Sequence, residues 1–322
     1  MASLKEIKNR IASVNSTRKI TSAMKMVASS KLHHAQVMIE NMLPYESMLE
    51  HILKTFLASE ADANSPFSEE RKVKKVAVIV FSSNSSLCGG FNSNIIKCLQ
   101  KAIDDYEDLG KDALLVYPVG RKVAEKAAKL GLNIAGEYNN LCDHPSSHEC
   151  MLIAQDVAQK FLDGEIDKVE LIYHHFKSAG SQILTRKTFL PIDIAEVDFS
   201  AEKGRDLTST IATKESQEYL KKHGQHTATV EQKAAKPLND NFIVEPDMDA
   251  VLGKLIPQYL NLQVYTALLD SNASEHAARM VAMQTATDNA DELLRVLNLQ
   301  YNKSRQQAIT NELLDLAGGS QD

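Results

Sequence analysis

Apolar positions in the carboxyl-terminal part of the chain follow a regular spacing. No proline or glycine occurs after Pro257 until Gly318, and a helix over that run would reach roughly 90 Å. The apolar positions alternate in steps of four and three residues, and the mean of about 3.5 is typical of a coiled-coil seam. The seam positions are His276, Met280, Met283, Thr287, Ala290, Leu294, Leu297 and Tyr301. We therefore predict that a second long helix lies along this one.

The amino-terminal segment is the natural partner for that helix. Residues 3–43 contain neither glycine nor proline, and Leu4, Ile7, Ile11 and Val14 form one apolar row. Because both helices need covering and lie at opposite ends of the chain, we expect them to pair antiparallel. Pro44 is expected to kink or interrupt the first helix, since proline removes a helical hydrogen bond.

Between the helical ends, short apolar runs alternate with helical periodicity. Strands are predicted over residues 76–81, 113–117 and 168–173, with helices over 92–107, 122–130 and 152–162. Residues 182–189 read as an antiparallel return after a turn. Strands that alternate with helices predict a Rossmann-like α/β domain with a mostly parallel sheet.

The pattern divides the chain into five segments. Residues 1–57 form the first long helix, 58–72 a linker, 73–199 with 242–246 the α/β domain, 200–241 a polar insertion, and 247–322 the last long helix. Within the insertion a short helix is predicted over 214–222. Residues 242–245 are predicted as one more strand, and Asp247 is suited to cap the final helix.

Composition narrows the class of protein. The chain has 322 residues, 43% of them hydrophobic, and no apolar run approaches the ~18 residues of a membrane span. Its start lacks the apolar region of a secretory signal, and its four cysteines form no repeating framework, so we expect a cytoplasmic protein. Although the net charge is −6, the first helix is basic over residues 1–39, which carry Glu6 and seven cations, Lys5, Lys8, Arg10, Arg18, Lys19, Lys25 and Lys31. No aromatic residue precedes Tyr45, so an acidic protein surface is favoured over nucleic acid as its partner.

Two loops carry residues that could support chemistry. Residues 82–92 form a small-residue loop between a strand and a helix, but they lack the lysine of a phosphate-binding motif and favour a tight turn. Cys142, His144, His148 and Cys150 are zinc-ligand types at a spacing unlike that of zinc sites, which favours a polar surface loop. His174 and His175 are neighbours on a predicted strand and should point to opposite faces. We predict no catalytic site, metal or cofactor.

Three separated motifs resemble the gamma subunit of bacterial F-type ATP synthases. They are IKNRIASV at 7–14 with AMKMVA at 23–28, LCGGFN at 87–92, and SEHAARMVAM at 274–283, which continues through ATDNA at 286–290, YNKSRQ at 301–306 and ITNE at 309–312. The resemblance implies a noncatalytic rotor shaft without a cofactor, inside a ring of alpha and beta subunits. It places the α/β domain against the epsilon subunit and the membrane c-ring, at the cytoplasmic face of the bacterial plasma membrane and without insertion into it.

The resemblance also implies which residues contact the ring. Arg305, Gln306 and Thr310 match the positions that meet a loop of the beta subunit, and Met24 and Lys25 match those that meet its lower, acidic part. Asn84, Ser85 and Ser86 replace charged residues of the family, and the insertion at 200–241 is longer than usual, which suggests a contact with epsilon or a brake on rotation. The coupling ion would be the proton, with sodium as the alternative.

Two other functions fit the same pattern. One is a nucleotide-binding α/β protein with a coiled-coil interaction arm, which should bind nucleotide alone. The other is a free-standing coiled-coil adaptor, which should tolerate a charge at Met280 or Met283 because no ring surrounds it.

Overall fold

The computed structural model describes residues 4–59, 66–192, 244–245 and 247–318. The predicted insertion at 200–241, its short helix and the first half of the strand at 242–245 lie outside these residues. Val244 and Glu245, the described part of that strand, are not in a strand. Within the described ranges, no helix combines the length and apolarity needed to cross a membrane.

Six α-helices and five strands make up the regular structure of the described residues, apart from three short 3₁₀ turns. They are α1 Leu4–Ser59, β1 Val76–Phe81, α2 Phe91–Asp105, β2 Leu114–Val119, α3 Arg121–Leu130, β3 Asn133–Ile134, α4 Asn140–Asp143, α5 Ser147–Leu162, β4 Lys168–Ser178, β5 Ser181–Leu190 and α6 Met248–Gly318. The alternation of strands and helices predicted from the sequence is confirmed.

Both long helices run through a proline. Pro44 lies inside α1 and Pro257 inside α6. Of the kink or interruption predicted at Pro44, the interruption is therefore wrong. An interior proline costs about 3 kcal/mol of helix stability, and the burial of Leu49 and Leu53 after Pro44 offsets such a cost. The α6 helix begins where the acidic cap was predicted, because the Ala250 N–H donates to Asp247 Oδ1 at 2.8 Å.

The strands form one sheet in the order β3-β2-β1-β4-β5. β1 pairs parallel with β2 and β4, β2 pairs parallel with β3, and β5 pairs antiparallel with β4. The fold is therefore mixed α/β with a mostly parallel sheet and a long helix at each end, as predicted. All six residues of β1 are buried, since this central strand is covered on both faces.

Alternate residues of β1 face two cores. Val76, Val78 and Val80 pack with α2 and α3. Ala77 and Ile79, on the other face, pack with α5 and with the first part of α6. Sequence periodicity predicts this division, because successive side chains of a strand point to opposite faces.

The chain forms two compact units. One comprises Met1–Ser30 with Arg279–Asp322, and within its described residues it is a pair of helical segments. The other, Lys31–Ala278, contains the sheet together with the remaining parts of α1 and α6. The five segment boundaries drawn from the sequence remain a prediction.

Gly120, between β2 and α3, provides a test of backbone strain. Its φ is 105°, and a Cβ added there would lie 2.5 Å from Ser82 O. Gly120→Ala is expected to lower the free energy of unfolding by about 2 kcal/mol, from strain and overpacking together. Gly131, after α3, has a φ of 69° and a ψ of 33°, in the left-handed helical region, and no atom lies within 4 Å of an added Cβ, so Gly131→Ala should cost only about 1 kcal/mol. Urea unfolding of both variants measures the difference, and equal costs would contradict it.

Candidate interaction surface

The two helical segments of the first unit pair antiparallel. Arg18 Nη1 donates to Asp291 Oδ1 at 2.9 Å, and the hydroxyls of Thr21 and Thr287 are 2.8 Å apart. Residue numbers rise along α1 while they fall along α6. One cation of the basic helix thus has an acidic partner within its own chain.

The predicted seam positions differ in burial. Met280, Met283, Ala290 and Leu297 are buried, and Leu294 is half-buried. These five lie in the helical unit, whereas His276 is buried within the sheet-containing unit. The charge test at Met280 or Met283 therefore cannot separate an adaptor from a shaft, because both side chains are already buried without any ring.

Large apolar side chains elsewhere in the helical unit are exposed. On α1 these are Ile20, Met26 and Val27, and on α6 they are Leu293, Val296, Leu299, Ile309, Leu313 and Leu314. Met26 is 65% exposed and Leu314 64%. Exposed apolar residues in this number are typical of a surface that another protein covers.

The residues predicted to contact a ring also lie in this unit. Arg305, Gln306 and Thr310 are exposed, and Met24 and Lys25 are half-buried. The Thr310 hydroxyl donates to the Gln306 carbonyl at 2.9 Å. This bond ties the hydroxyl to its own helix, whereas the guanidinium of Arg305 and the amide of Gln306 lie on the exposed surface.

The structure does not bring these two sets together. The register set by Arg18 with Asp291 and Thr21 with Thr287 places Met24 beside residue 284 or so of α6. Arg305 lies about 20 residues further along, a separation of about 30 Å on a helix. Any contacts that they make would therefore be two distinct contacts at different heights.

The place where an α/β sheet usually binds nucleotide is filled by this chain's own side chains. Ligands of such sheets bind at the carboxyl ends of strands where the strand order reverses, which here is between β1 and β4. The Phe91 ring stacks on His174 with centroids 4.5 Å apart, and the Ser274 hydroxyl donates to the His174 carbonyl at 3.2 Å. This packing disfavours the nucleotide-binding alternative.

The loop after β1 is held by its own polar groups. Asn92 Oδ1 accepts from the Ser83 N–H at 3.1 Å, and Asn92 Nδ2 donates to Cys88 Sγ at 3.1 Å and to the Ser85 carbonyl at 3.3 Å. Leu87 adopts a φ of 68° with its side chain exposed. The arrangement is that of a tight strand-to-helix turn.

The segment predicted as a polar surface loop is partly core. Cys142 in α4 and Cys150 in α5 are buried, whereas His144 and His148 are exposed. Burial raises the pKa of both thiols, that of Cys150 to about 12. Among the described residues no group of three or more His, Cys, Asp or Glu could hold a metal ion.

A signal for this correction was present in the sequence. The Ser146 hydroxyl accepts from the Glu149 N–H at 3.4 Å and caps α5. Serine followed three residues later by glutamate is a helix-start pattern. It would have placed the start of α5 at Ser147 rather than at residue 152, and it would have put Cys150 inside a helix.

The sequence did not predict a charged network on the sheet. Glu170, buried in β4, accepts hydrogen bonds from Tyr106, at 2.6 Å, and from Arg186 of β5, whose Nε is 2.7 Å from Oε2. Burial alone would raise the pKa of Glu170, but the hydrogen bonds from Arg186 and Tyr106 outweigh it and hold that pKa below its usual value. Arg186 also pairs with Asp105, the last residue of α2, so the network ties the end of α2 to β4 and β5.

His174 should make the sheet-containing unit sensitive to acid. Burial lowers its pKa from 6.5 to about 4. Between pH 6.5 and pH 4 the unfolded chain binds a proton at His174 and the folded chain does not. The free energy of unfolding therefore falls as pH drops through this range. From pH 7 to pH 5 this loss is about 2 kcal/mol. His174→Leu should remove that part of the slope in chemical unfolding at both pH values, and an unchanged slope would refute the assignment.

Comparison with known proteins identifies the family. The ATP synthase family model matches residues 3–321. The chain is 52% identical over 320 residues to the ATP synthase gamma chain of Phocaeicola vulgatus, with 99% of each chain covered. It is 39% identical over 322 residues to that of Flavobacterium johnsoniae, with 100% of this chain and 99% of the relative covered.

Solved structures show the same fold at lower identity. A chain of the Euglena gracilis mitochondrial ATP synthase has a TM-score of 0.57 at 17% identity, with 98% of this chain and 93% of that one covered. A chain of the Tetrahymena thermophila central stalk and c-ring has a TM-score of 0.54 at 24% identity, covering 83% and 99%. With a match along nearly its whole length and relatives of equal extent, this chain belongs to the ATP synthase gamma chain family.

Proposed function

We propose that this chain is the central rotor shaft of a bacterial ATP synthase and couples transmembrane proton flow to ATP synthesis and hydrolysis. The observation that carries the proposal is the antiparallel helix pair, which buries one seam and leaves large apolar side chains exposed. A shaft that turns inside a protein sleeve needs such a surface. The chain itself supplies no chemistry in this function.

The partners follow from the same proposal. Alpha and beta subunits would surround the helical unit, with a loop of beta at Arg305, Gln306 and Thr310 and its lower, acidic part at Met24 and Lys25. The α/β domain would meet epsilon and the membrane c-ring at the cytoplasmic face of the plasma membrane. The exposure of Arg305 and Gln306 supports the first of these contacts.

The mechanism would be mechanical. Only one side of an asymmetric helix pair can face a given beta subunit at a time, so rotation presents a different surface to each catalytic site in turn. Each site then changes its nucleotide affinity because its contact with the shaft has changed. The shaft has no need of a reactive group of its own.

Reconstitution tests the proposal against its alternatives. The purified chain should bind no ATP in equilibrium dialysis, and it should restore ATP hydrolysis when mixed with alpha and beta subunits of the same organism. Binding of ATP by the chain alone would favour the nucleotide-binding alternative. Failure to join alpha and beta would favour a free-standing adaptor.

A further inference from the structure

Part of α6 is buried on every side and yet polar. All residues from 266 to 277 are buried. The polar ones among them are Thr266, Asp270, Ser271, Asn272, Ser274, Glu275 and His276. Burying polar groups costs free energy unless they form hydrogen bonds. Packing alone would be served at lower cost by leucine and alanine, so the polar side chains call for another explanation.

Two of these side chains hold β4. Asp270 Oδ2 is 2.7 Å from His175 Nδ1, and Asp270 is fully buried. One helical turn later, the Ser274 hydroxyl donates to the His174 carbonyl at 3.2 Å. Asp270 and Ser274 are about 40° apart around the helix axis at 3.6 residues per turn, so both bonds are made on the same side of α6.

A third side chain holds the opposite side. Asn272 Nδ2 donates to the Cys142 carbonyl of α4 at 2.6 Å. Asn272 is about 160° around the helix from both Asp270 and Ser274. We name Asp270, Asn272 and Ser274 the polar collar. Bonds on two opposite sides of a helix form a couple, which resists turning of the helix about its own axis.

The apolar part of α6 makes a different kind of contact. From Leu252 to Leu268 its buried side chains pack into the core formed by the sheet and α5. Apolar burial is non-directional, whereas a hydrogen bond weakens steeply as its angle changes. The apolar contacts therefore hold α6 against the sheet, and the collar adds directional bonds that restrain its rotation.

We propose that the polar collar is the joint through which torque passes between the α/β domain and α6. This inference rests on the proposed function as a rotor shaft. Asp270, Asn272 and Ser274 are then positioning residues for energy coupling, and they contact neither nucleotide nor the ring. Without their hydrogen bonds α6 stays buried but turns about its own axis when torque is applied.

The test replaces the directional bonds while keeping the burial. D270L/N272L/S274A substitutes apolar groups for the three polar side chains. Because His175 then loses its buried partner, which is destabilising, urea unfolding first shows that the variant remains folded. The complete enzyme containing this chain is assembled in vesicles and assayed in both directions. ATP hydrolysis should stay within twofold of wild type, while synthesis driven by a proton gradient should fall at least tenfold.

Two variants serve as controls. Thr266 lies one turn before the collar, and its hydroxyl makes no hydrogen bond with the described residues, so Thr266→Val should leave synthesis unchanged. Asp270→Asn keeps an oxygen that can pair with His175 and should retain more than half of the synthesis rate. Equal losses in the triple variant and in Thr266→Val would overturn the inference.

Three further outcomes also test the proposal. If wild-type vesicles make no ATP, the proposed function itself fails. If wild type and the triple variant synthesise equally, the collar carries no torque. If the triple variant fails to co-purify with alpha and beta, the collar serves folding and the inference is overturned.

Discussion

Arg186→Met is expected to lower the free energy of unfolding by about 3 kcal/mol, because it removes one partner of a buried ion pair. The Glu170 side chain is only 4% exposed, and its Oε2 would lose the Arg186 Nε bond of 2.7 Å. The remaining donors, Lys168 and Tyr106, both reach Oε1. The pKa of Glu170 should rise in the variant, since its main compensation for burial is gone.

A double-mutant cycle separates the pair from the individual side chains. Glu170→Gln with Arg186→Met leaves no buried charge without its main partner, so the double variant should recover part of the stability lost in R186M. Arg295→Met is the matched control, since Arg295 and Glu292 pair on the exposed surface and should not affect unfolding measurably. Strictly additive losses in the cycle would contradict the coupling.

Long elements were predictable from the sequence because their signals are local. The absence of glycine and proline and the alternation of four and three residues indicated α6, and the apolar run at 76–81 matched β1 residue for residue. The start of α6 also followed from a local signal, the cap at Asp247, although Pro257 lies inside the helix. Pro257 marks a boundary only if packing fails to compensate for it, and neighbouring Leu252 and Ile256 are buried.

Polar residues limited the prediction of the sheet. β4 extends to Ser178, five residues beyond the apolar run that ends at 173, and it includes the two histidines that were expected on a strand. Its second half contains His174 and His175, which suit a buried position only because Phe91, Ser274 and Asp270 are there to receive them. These three partners are distant from β4 in the sequence, so no local pattern indicates that they contact the histidines.

The seam and the outer surface of the helical unit were only partly separable from the sequence. Periodicity placed Met280 and Met283 on the seam toward the first helix, whereas the charge test for an adaptor treated the same positions as a face that a ring would surround. In the structure this chain covers them. Leu299 and Leu313, each 61% exposed, are better positions for a charge that distinguishes a shaft in a sleeve from a free adaptor.

Replacing both Arg305 and Gln306 by alanine is expected to reduce proton-driven ATP synthesis about 100-fold. One charged and one neutral hydrogen bond to a beta loop are together worth about 3 kcal/mol, which corresponds to roughly two powers of ten in rate. Both side chains are exposed, so the isolated chain should keep its helix content by circular dichroism and its unfolding midpoint.

Arg295→Ala with Gln300→Ala is the matched control, because it removes the same two residue types from exposed positions on the same helix. It should synthesise ATP at the wild-type rate in the same vesicles. The Arg305 and Gln306 contact lies about 30 Å from the level of Met24, so the loss in R305A/Q306A should not depend on the contact at Met24. Normal synthesis in R305A/Q306A would mean that the beta subunit does not hold the shaft at these residues.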